Sequence, residues 1–219
     1  MSKRPKLLIT SLEDFSDEVI LNVLRFLNIE DIIRCSQLSK RFRRISQDES
    51  LWLKVNLSLR IFNRNYLQVV LNNGCKYLGL YHSRIKNCDN DFILKKPCQL
   101  RYLDYSYCQC RDRSKDGVLE RILFSCNSLE KLSLARITIS SEITNGICVL
   151  NGSTLNTLDL CCAKFDQDSF QQIIKACVEL TELNLSHTDL VEDDIKFLVH
   201  NVSQKIEKLN LSSLQGFLY

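Results

Sequence analysis

Eleven cysteines and three histidines are the residues of this 219-residue chain best suited to hold a metal or attack a substrate. Their spacing supports neither role. "CQC" (Cys108 to Cys110) and "CC" (Cys161, Cys162) lack a second CxxC or HxxxH at the distance a zinc site requires. His82, His187 and His200 stand alone, with no Ser/His/Asp or Cys/His constellation, and no glycine-rich phosphate loop occurs. Asp166, Asp168, Asp189, Glu192 and Asp193 fall at expected helix starts. There a carboxylate meets unpaired N–H groups and the positive end of the helix dipole, so capping explains this acidity better than metal binding. No catalytic residue, metal or cofactor is therefore expected. An odd number of cysteines without a secretion signal points to free thiols in a reducing compartment.

The elements that must carry the function are then binding surfaces. With 45% apolar residues the chain can build a sizeable core, and its length suits one or two domains. A net charge of +3 is small, so nucleic acid is not an expected partner. No apolar run is long enough to span a membrane. The N-terminus "MSKRPKLLIT" lacks the apolar core and cleavage site of a signal peptide. Residues 1–11 read as a disordered basic tail, with "KRPK" a weak nuclear signal at most, so the expected location is nucleus and/or cytoplasm. Only two prolines and six glycines occur, which argues against a long flexible linker.

From residue 53 a leucine pattern returns about every 25 residues, a solenoid period. "LEKLSL" (Leu129 to Leu134), "LNTLDL" (Leu155 to Leu160), "LTELNL" (Leu180 to Leu185) and "IEKLNL" (Ile206 to Leu211) share the form LxxLxL. "LRYLDY", "LGL" and "VNL" are weaker copies upstream. The middle apolar positions are Val55, Leu78, Leu103, Leu132, Leu158, Leu183 and Leu209. Alternation with period two makes each core a short strand with one buried face. Between strands, Phe170, Ile173 and Ile174, then Ile195, Leu198 and Val199, fall on single helical faces. Cys126, Gly152, Cys177 and Ser203 mark tight passages from helix to strand, and Cys108, Ile137, Ala163, Thr188 and Leu214 share a core slot. The pattern resembles the cysteine-containing subclass of leucine-rich repeats. That resemblance implies an α/β fold: a right-handed strand–helix solenoid of about seven strand motifs over residues 53–219, with strands on the concave face.

Residues 12–52 carry a different period. Val19, Ile20, Val23, Leu24 and Leu27 form a broad apolar stripe on a first helix that Ser16 can cap. "NIED" (Asn28 to Asp31) breaks it; Ile32, Ile33 and Cys35 begin a second helix, and Leu38, Phe42 and Ile45 follow on a third. "SQDE" (Ser46 to Glu49) reads as a capping box. So few residues cannot build a self-sufficient core, and these helices carry more apolar side chains than they can bury in one another.

The same residues resemble an F-box. The matching positions are Phe15-Ser16, Glu18, Val19 to Leu21, Asp31 with Ile32-Ile33, Leu38 to Phe42, and Leu51-Trp52. Serine stands at Ser16 where the family has proline, and Ser39-x-x-Phe42 replaces Cys-x-x-Trp. The resemblance covers the whole chain as an F-box followed directly by leucine-rich repeats. It implies the substrate-receptor subunit of a Skp–Cullin–F-box ubiquitin ligase, acting in ubiquitin-dependent degradation in a cell-cycle setting. The implied partners are a Skp-type adaptor, cullin and RING subunits reached through it, and a protein substrate; no homo-oligomer is expected. Phe15, Val19, Ile20, Leu24, Leu27, Ile32, Leu38 and Phe42 are the expected adaptor contacts. Leu51 and Trp52 are the expected junction pin between helices and repeats.

Strand alternation supplies the expected substrate face. If Leu132 and Leu134 point inward, Lys131, Ser133 and Ala135 point outward, and the central column is Asn56, Gly79, Asp104, Ser133, Asp159, Asn184 and Asn210. Asp104, Lys131, Ser133, Asp159, Glu182, Asn184, Lys208 and Asn210 are the expected substrate contacts. The column holds no Arg or Lys, so it does not suit a phosphorylated motif. Two other readings stay open: an adaptor-bound scaffold without cullin-dependent activity, and a repeat protein whose F-box-like helices only cap the solenoid. Leu214, Phe217, Leu218 and Tyr219 have no later repeat to meet. A chain shortened at its C-terminus is therefore expected, with Leu209 and Leu211 packed inward on the preceding repeat.

Overall fold

The computed structural model describes residues 12–86, 93–94, 97–110, 117–165 and 168–214. It divides into two compact units, residues 1–52 and 53–219.

In the first unit, helices α1 (Asp17–Leu24), α2 (Ile29–Cys35) and α3 (Lys40–Ser46) follow a single 3-10 turn at Leu12–Asp14, and a second such turn lies at Glu49–Leu51. Asn28 starts α2, its side-chain oxygen accepting the Asp31 N–H at 3.0 Å. "NIED" thus opens a helix and does not end the first one, since α1 already stops at Leu24. Ser39 starts α3 by accepting the Phe42 N–H at 3.2 Å. Ser16 occupies the N-cap of α1 without a side-chain bond. The expected "SQDE" box does not form, because Ser46 is still inside α3 and its hydroxyl donates back to the Arg43 carbonyl. Asp48 caps the following turn instead, accepting the Ser50 N–H at 3.0 Å. Both α1 and α2 pack on α3.

The second unit alternates principal and secondary strands. The principal strands are β1 (Lys54–Asn56), β3 (Tyr77–Gly79), β5 (Tyr102–Asp104), β7 (Lys131–Ser133), β9 (Thr157–Asp159), β11 (Glu182–Asn184) and β12 (Lys208–Asn210). They form one parallel seven-stranded sheet in that order. Its register aligns the seven middle residues from Val55 to Leu209. Shorter strands β2 (Ile61–Asn63), β4 (Arg84–Lys86) and β6 (Gln109–Cys110) pair in parallel, as do β8 (Thr138–Ile139) and β10 (Lys164–Phe165). Helices α4 (Arg64–Asn72), α5 (Val118–Ser125), α6 (Ser141–Leu150), α7 (Ser169–Ala176) and α8 (Glu192–Asn201) connect the repeats, and from α5 onward each packs on the next.

The repeat pattern leads to burial almost throughout. Val55, Leu78, Leu103, Leu132, Leu158 and Leu183 are buried, as are Phe170, Ile173, Ile174 and Leu198. Leu209 is 43% exposed and Leu211 half-buried, against expectation, because β12 is the edge strand of the sheet. Leu214 is buried, as its core slot implies, although no later repeat follows it among the described residues; Phe217, Leu218 and Tyr219 lie outside the described residues. Val199 is exposed, so the apolar face of α8 is narrower than its spacing suggests.

Passage from helix to strand is tight where small residues were expected. A Cβ on Gly152 would lie 2.9 Å from the carbonyl oxygens of both Ala176 and Cys148. Ser203 donates to the Val178 carbonyl at 2.7 Å, and Cys126 and Cys177 are buried. Burial pushes the Cys75 and Cys177 thiols up to about 12 and Cys148 up to about 11, so these cysteines act as small apolar core residues. Buried Asn151 links two repeats: its amide donates to the Leu123 and Gly146 carbonyls, and its oxygen accepts the Leu129 N–H. Acidic capping is more selective than expected. Asp194 reaches back to the Val191 N–H, whereas Asp168 makes no side-chain cap and Asp189 lies exposed ahead of α8; Asp166 lies outside the described residues.

Candidate protein-interaction surfaces

The helical unit sorts its apolar residues into two sets. Ile20, Leu24, Ile32 and Phe42 are buried. These four expected adaptor contacts therefore serve the interior, where close packing leaves no side-chain surface for a partner. Phe15 and Leu27 are half-buried, and Val19 and Leu38 are exposed. The exposed set also includes Val23, a stripe residue not counted among the expected adaptor contacts, and Phe26, which sequence reasoning passed over. Phe26 is 90% exposed and Leu38 70% exposed. Val19 and Val23 stand one turn apart on α1, and Phe26 follows in the turn just past its end. Exposed large apolar side chains grouped in this way mark an interaction surface.

Charge holds this small unit together. Arg41 donates from Nε to Asp17 Oδ1 at 2.8 Å and from a guanidinium nitrogen to the Phe15 carbonyl at 2.6 Å, tying α3 to the start of α1. Arg44 also pairs with Asp17. The Arg41 hydrogen bond, joined by the charges of Arg44 and Arg41, holds the Asp17 carboxyl below the usual carboxylate range. Its folded-state pKa lies below the unfolded value of about 3.9. The stabilisation is thus present above that pH and lost as pH falls through the folded value. Asp17→Asn should lower the thermal midpoint at pH 7 and match the parent once the Asp17 carboxyl of the parent is protonated in both its folded and unfolded states. Melting curves at pH 7 and at the acid limit check this; an equal deficit at both would contradict it.

Leu51 and Trp52 are buried. The Trp52 indole N–H donates to the Ser46 carbonyl at 2.7 Å, within the helical unit.

On the sheet, the register places Asn56, Gly79, Asp104, Ser133, Asp159, Asn184 and Asn210 in one column and Lys131, Glu182 and Lys208 in the neighbouring one. Ala135 departs from the expected outward face and is buried. Much of the column is already engaged. Side-chain oxygens of Asn56, Asp104, Asp159, Asn184 and Asn210 each accept the backbone N–H two residues on, at 2.9–3.1 Å. These are Asx turns, which close five of the seven principal strands. Where Ser133 breaks the series, the Ala135 N–H donates to the Ser106 hydroxyl of the preceding repeat at 3.2 Å. Asn184 donates to Asp159 at 2.9 Å and Ser133 to Asp159 at 3.1 Å. Lys208 pairs with Glu182 at 2.5 Å and holds its carboxyl below the usual range. Half of the expected substrate residues therefore close turns, and two more neutralise each other.

Each turn ends in a left-handed residue: Leu59, His82, Tyr107, Arg136, Cys162, His187 and Ser213 all have φ between 51° and 62°. Such a backbone costs a residue with a Cβ roughly 1–2 kcal/mol. It is held by a ladder in which each of the first six N–H groups donates to a carbonyl of the next repeat, at 2.8–3.0 Å. In the middle of this edge the side chains gather. Tyr81 and Tyr107 meet edge to face at 5.6 Å, His82 stacks on Tyr107 at 6.1 Å, and the Arg136 guanidinium lies 5.7 Å over Tyr107. This cluster was not foreseen; its signal was His82, Tyr107 and Arg136 standing four positions after three successive middle leucines.

Among the described residues no group of three or more His, Cys, Asp or Glu side chains is gathered as a metal site requires. No helix among them is long and apolar enough to cross a membrane.

Residues 65–218 match the family model described as the SKP2 LRR domain, and residues 17–58 match that described as F-box-like. F-box/LRR-repeat protein 5 of Xenopus laevis is 23% identical over 206 residues, 93% of this chain and 28% of that protein. The protein of the same name from Danio rerio is 25% identical over 182 residues, covering 82% of this chain and 24% of its own length. F-box only protein 36 of Pongo abelii is 39% identical over 44 residues, 20% of this chain and 23% of that protein. The chain thus spans about a quarter of the length of the F-box/LRR-repeat relatives it matches.

Proposed function

Because the chain belongs to the family of F-box proteins with SKP2-type leucine-rich repeats, we propose that it is the substrate receptor of a Skp–Cullin–F-box ubiquitin ligase. The observation that carries this reading is the exposed apolar group Val19, Val23, Phe26 and Leu38 on a helical unit whose own core is already filled. An exposed phenylalanine at such a place gains by burial against a partner helix or groove. On this reading the Skp-type adaptor covers that face and joins the chain to cullin and RING subunits, while the repeats select a protein.

The chain supplies no bond-making group in this scheme. Its contribution is proximity: a captured protein meets the ubiquitin-carrying enzyme at a high effective concentration, so transfer behaves as an intramolecular step.

Affinity purification of the tagged chain, with and without a block on cullin activation, tests the reading. Adaptor, cullin and RING subunits should be recovered together with a protein that accumulates under the block. Adaptor without any cullin-dependent protein would leave a scaffold. Absence of the adaptor would reduce the helical unit to a cap on the repeats.

A further inference from the structure

The polar column of the sheet is largely committed to closing its own turns, so recognition chemistry must lie elsewhere on the repeats. We propose that the left-handed edge of the second to fourth repeats, built from Tyr81, His82, Arg84, Tyr107 and Arg136, docks an acidic segment of a protein partner. This rests on the reading that the repeats bind a protein and names the chemistry of what they take.

Three observations support it. The backbone geometry is common to all seven repeats, but among the described residues only here are aromatic rings and a guanidinium group seen in contact; elsewhere the same position holds Leu59, Cys162, His187 or Ser213. Tyr81, His82, Arg84 and Arg136 are exposed, and Tyr107 is half-buried beneath Arg136. Aromatic rings backed by arginine form the residue mix that dominates binding energy at protein interfaces.

The charged side chains of the strip itself are arginines. Among the described residues Arg136 makes no ion pair, and Arg84 makes none either but donates to the amide oxygen of Gln109 at 3.3 Å. Asp104 and Asp159, the acidic residues of the adjoining strands, each give an oxygen to an Asx turn. The edge is therefore a cationic, aromatic strip, to which a carboxylate-rich segment is complementary. The ring stack fixes the arginine geometry, so fewer rotamers are lost on binding.

The test uses the full chain and a fluorescein-labelled twelve-residue peptide of alternating glutamate and leucine, with a twin carrying glutamine for glutamate. Fluorescence polarisation should show binding of the acidic peptide that weakens as salt rises, and binding of the twin roughly tenfold weaker or worse. Arg136→Glu and Arg84→Glu should each weaken the acidic peptide by roughly tenfold, and Tyr107→Ala by a similar factor. Lys175→Glu, on α7 away from this edge, should leave it unchanged, and circular dichroism should show every variant folded. Absence of binding, equal binding of both peptides, or an unaltered Arg136→Glu would overturn the proposal. So would a single-stranded oligonucleotide that binds more tightly than the peptide and is lost with Arg136→Glu. Adaptor binding, measured separately on the same variants, should not change. A failed peptide test with intact adaptor binding would sink this inference alone.

Discussion

Replacing Trp52 with alanine should lower the unfolding free energy of the helical unit by about 3–5 kcal/mol. Trp52 is 2% exposed and is the largest of the fully buried side chains. Truncation would leave a void that the surrounding side chains cannot fill without leaving their rotamers. It would also strand an acceptor. Ser46 is the last residue of α3, and its carbonyl is one of the orphan groups at the C-terminal end of a helix. The indole N–H satisfies that carbonyl in a buried site. Trp52→Phe separates the two contributions: it keeps much of the volume and loses the bond, so a cost of about 1–2 kcal/mol is expected. Denaturant titration followed by circular dichroism measures both. An alanine variant within about 1 kcal/mol of the parent would contradict the account, since surface substitutions fall in that range.

The second large effect is a contrast between equivalent positions. Leu158 and Leu209 occupy the same place in the repeat and the same column of the sheet. Leu158 lies buried in β9, between β7 and β11, whereas Leu209 lies on the edge strand and is 43% exposed. Leu158→Ala should cost about 3–4 kcal/mol, from lost transfer energy and a cavity lined by neighbouring repeats. Leu209→Ala should cost under about 1 kcal/mol, because most of what it removes is already in water. Equal losses at the two sites would show that β12 is packed as deeply as the inner strands.

The strand register was legible from residue types because two constraints agree. Period-two alternation sets which side chains turn inward, and the recurring spacing sets which strand residues stand side by side. The turns were less legible. Left-handed backbone is usually sought at glycine, yet here Tyr107 and Arg136 adopt it, held by hydrogen bonds from one repeat to the next. Those bonds exist only after the repeats have stacked. The Asx turns were hidden for a related reason: Asp104 and Asp159 look like free surface acids until their oxygens are seen accepting backbone N–H groups. The helical unit shows a third limit. Val19, Ile20, Val23, Leu24 and Leu27 form one broad stripe, and nothing in their spacing says which edge of it faces in. Packing on α3 leaves Ile20 and Leu24 inside and Val19 and Val23 outside. Phe26 lies just past the helix end, beyond the stripe that periodicity defined.

That exposed set leads to the most direct test of the receptor reading: calorimetric titration of the purified full chain with a purified Skp-type adaptor. The unmodified chain should bind in a defined stoichiometric complex. Phe26→Asp should weaken it by roughly a hundredfold while leaving the circular dichroism spectrum unchanged, because Phe26 is 90% exposed and contributes little to the unit's own core. Leu24→Asp should instead disrupt the fold, since it places an unpaired charge in a buried site. A folded chain that does not bind the adaptor, or a Phe26→Asp variant that binds it as tightly as the parent, would contradict the account.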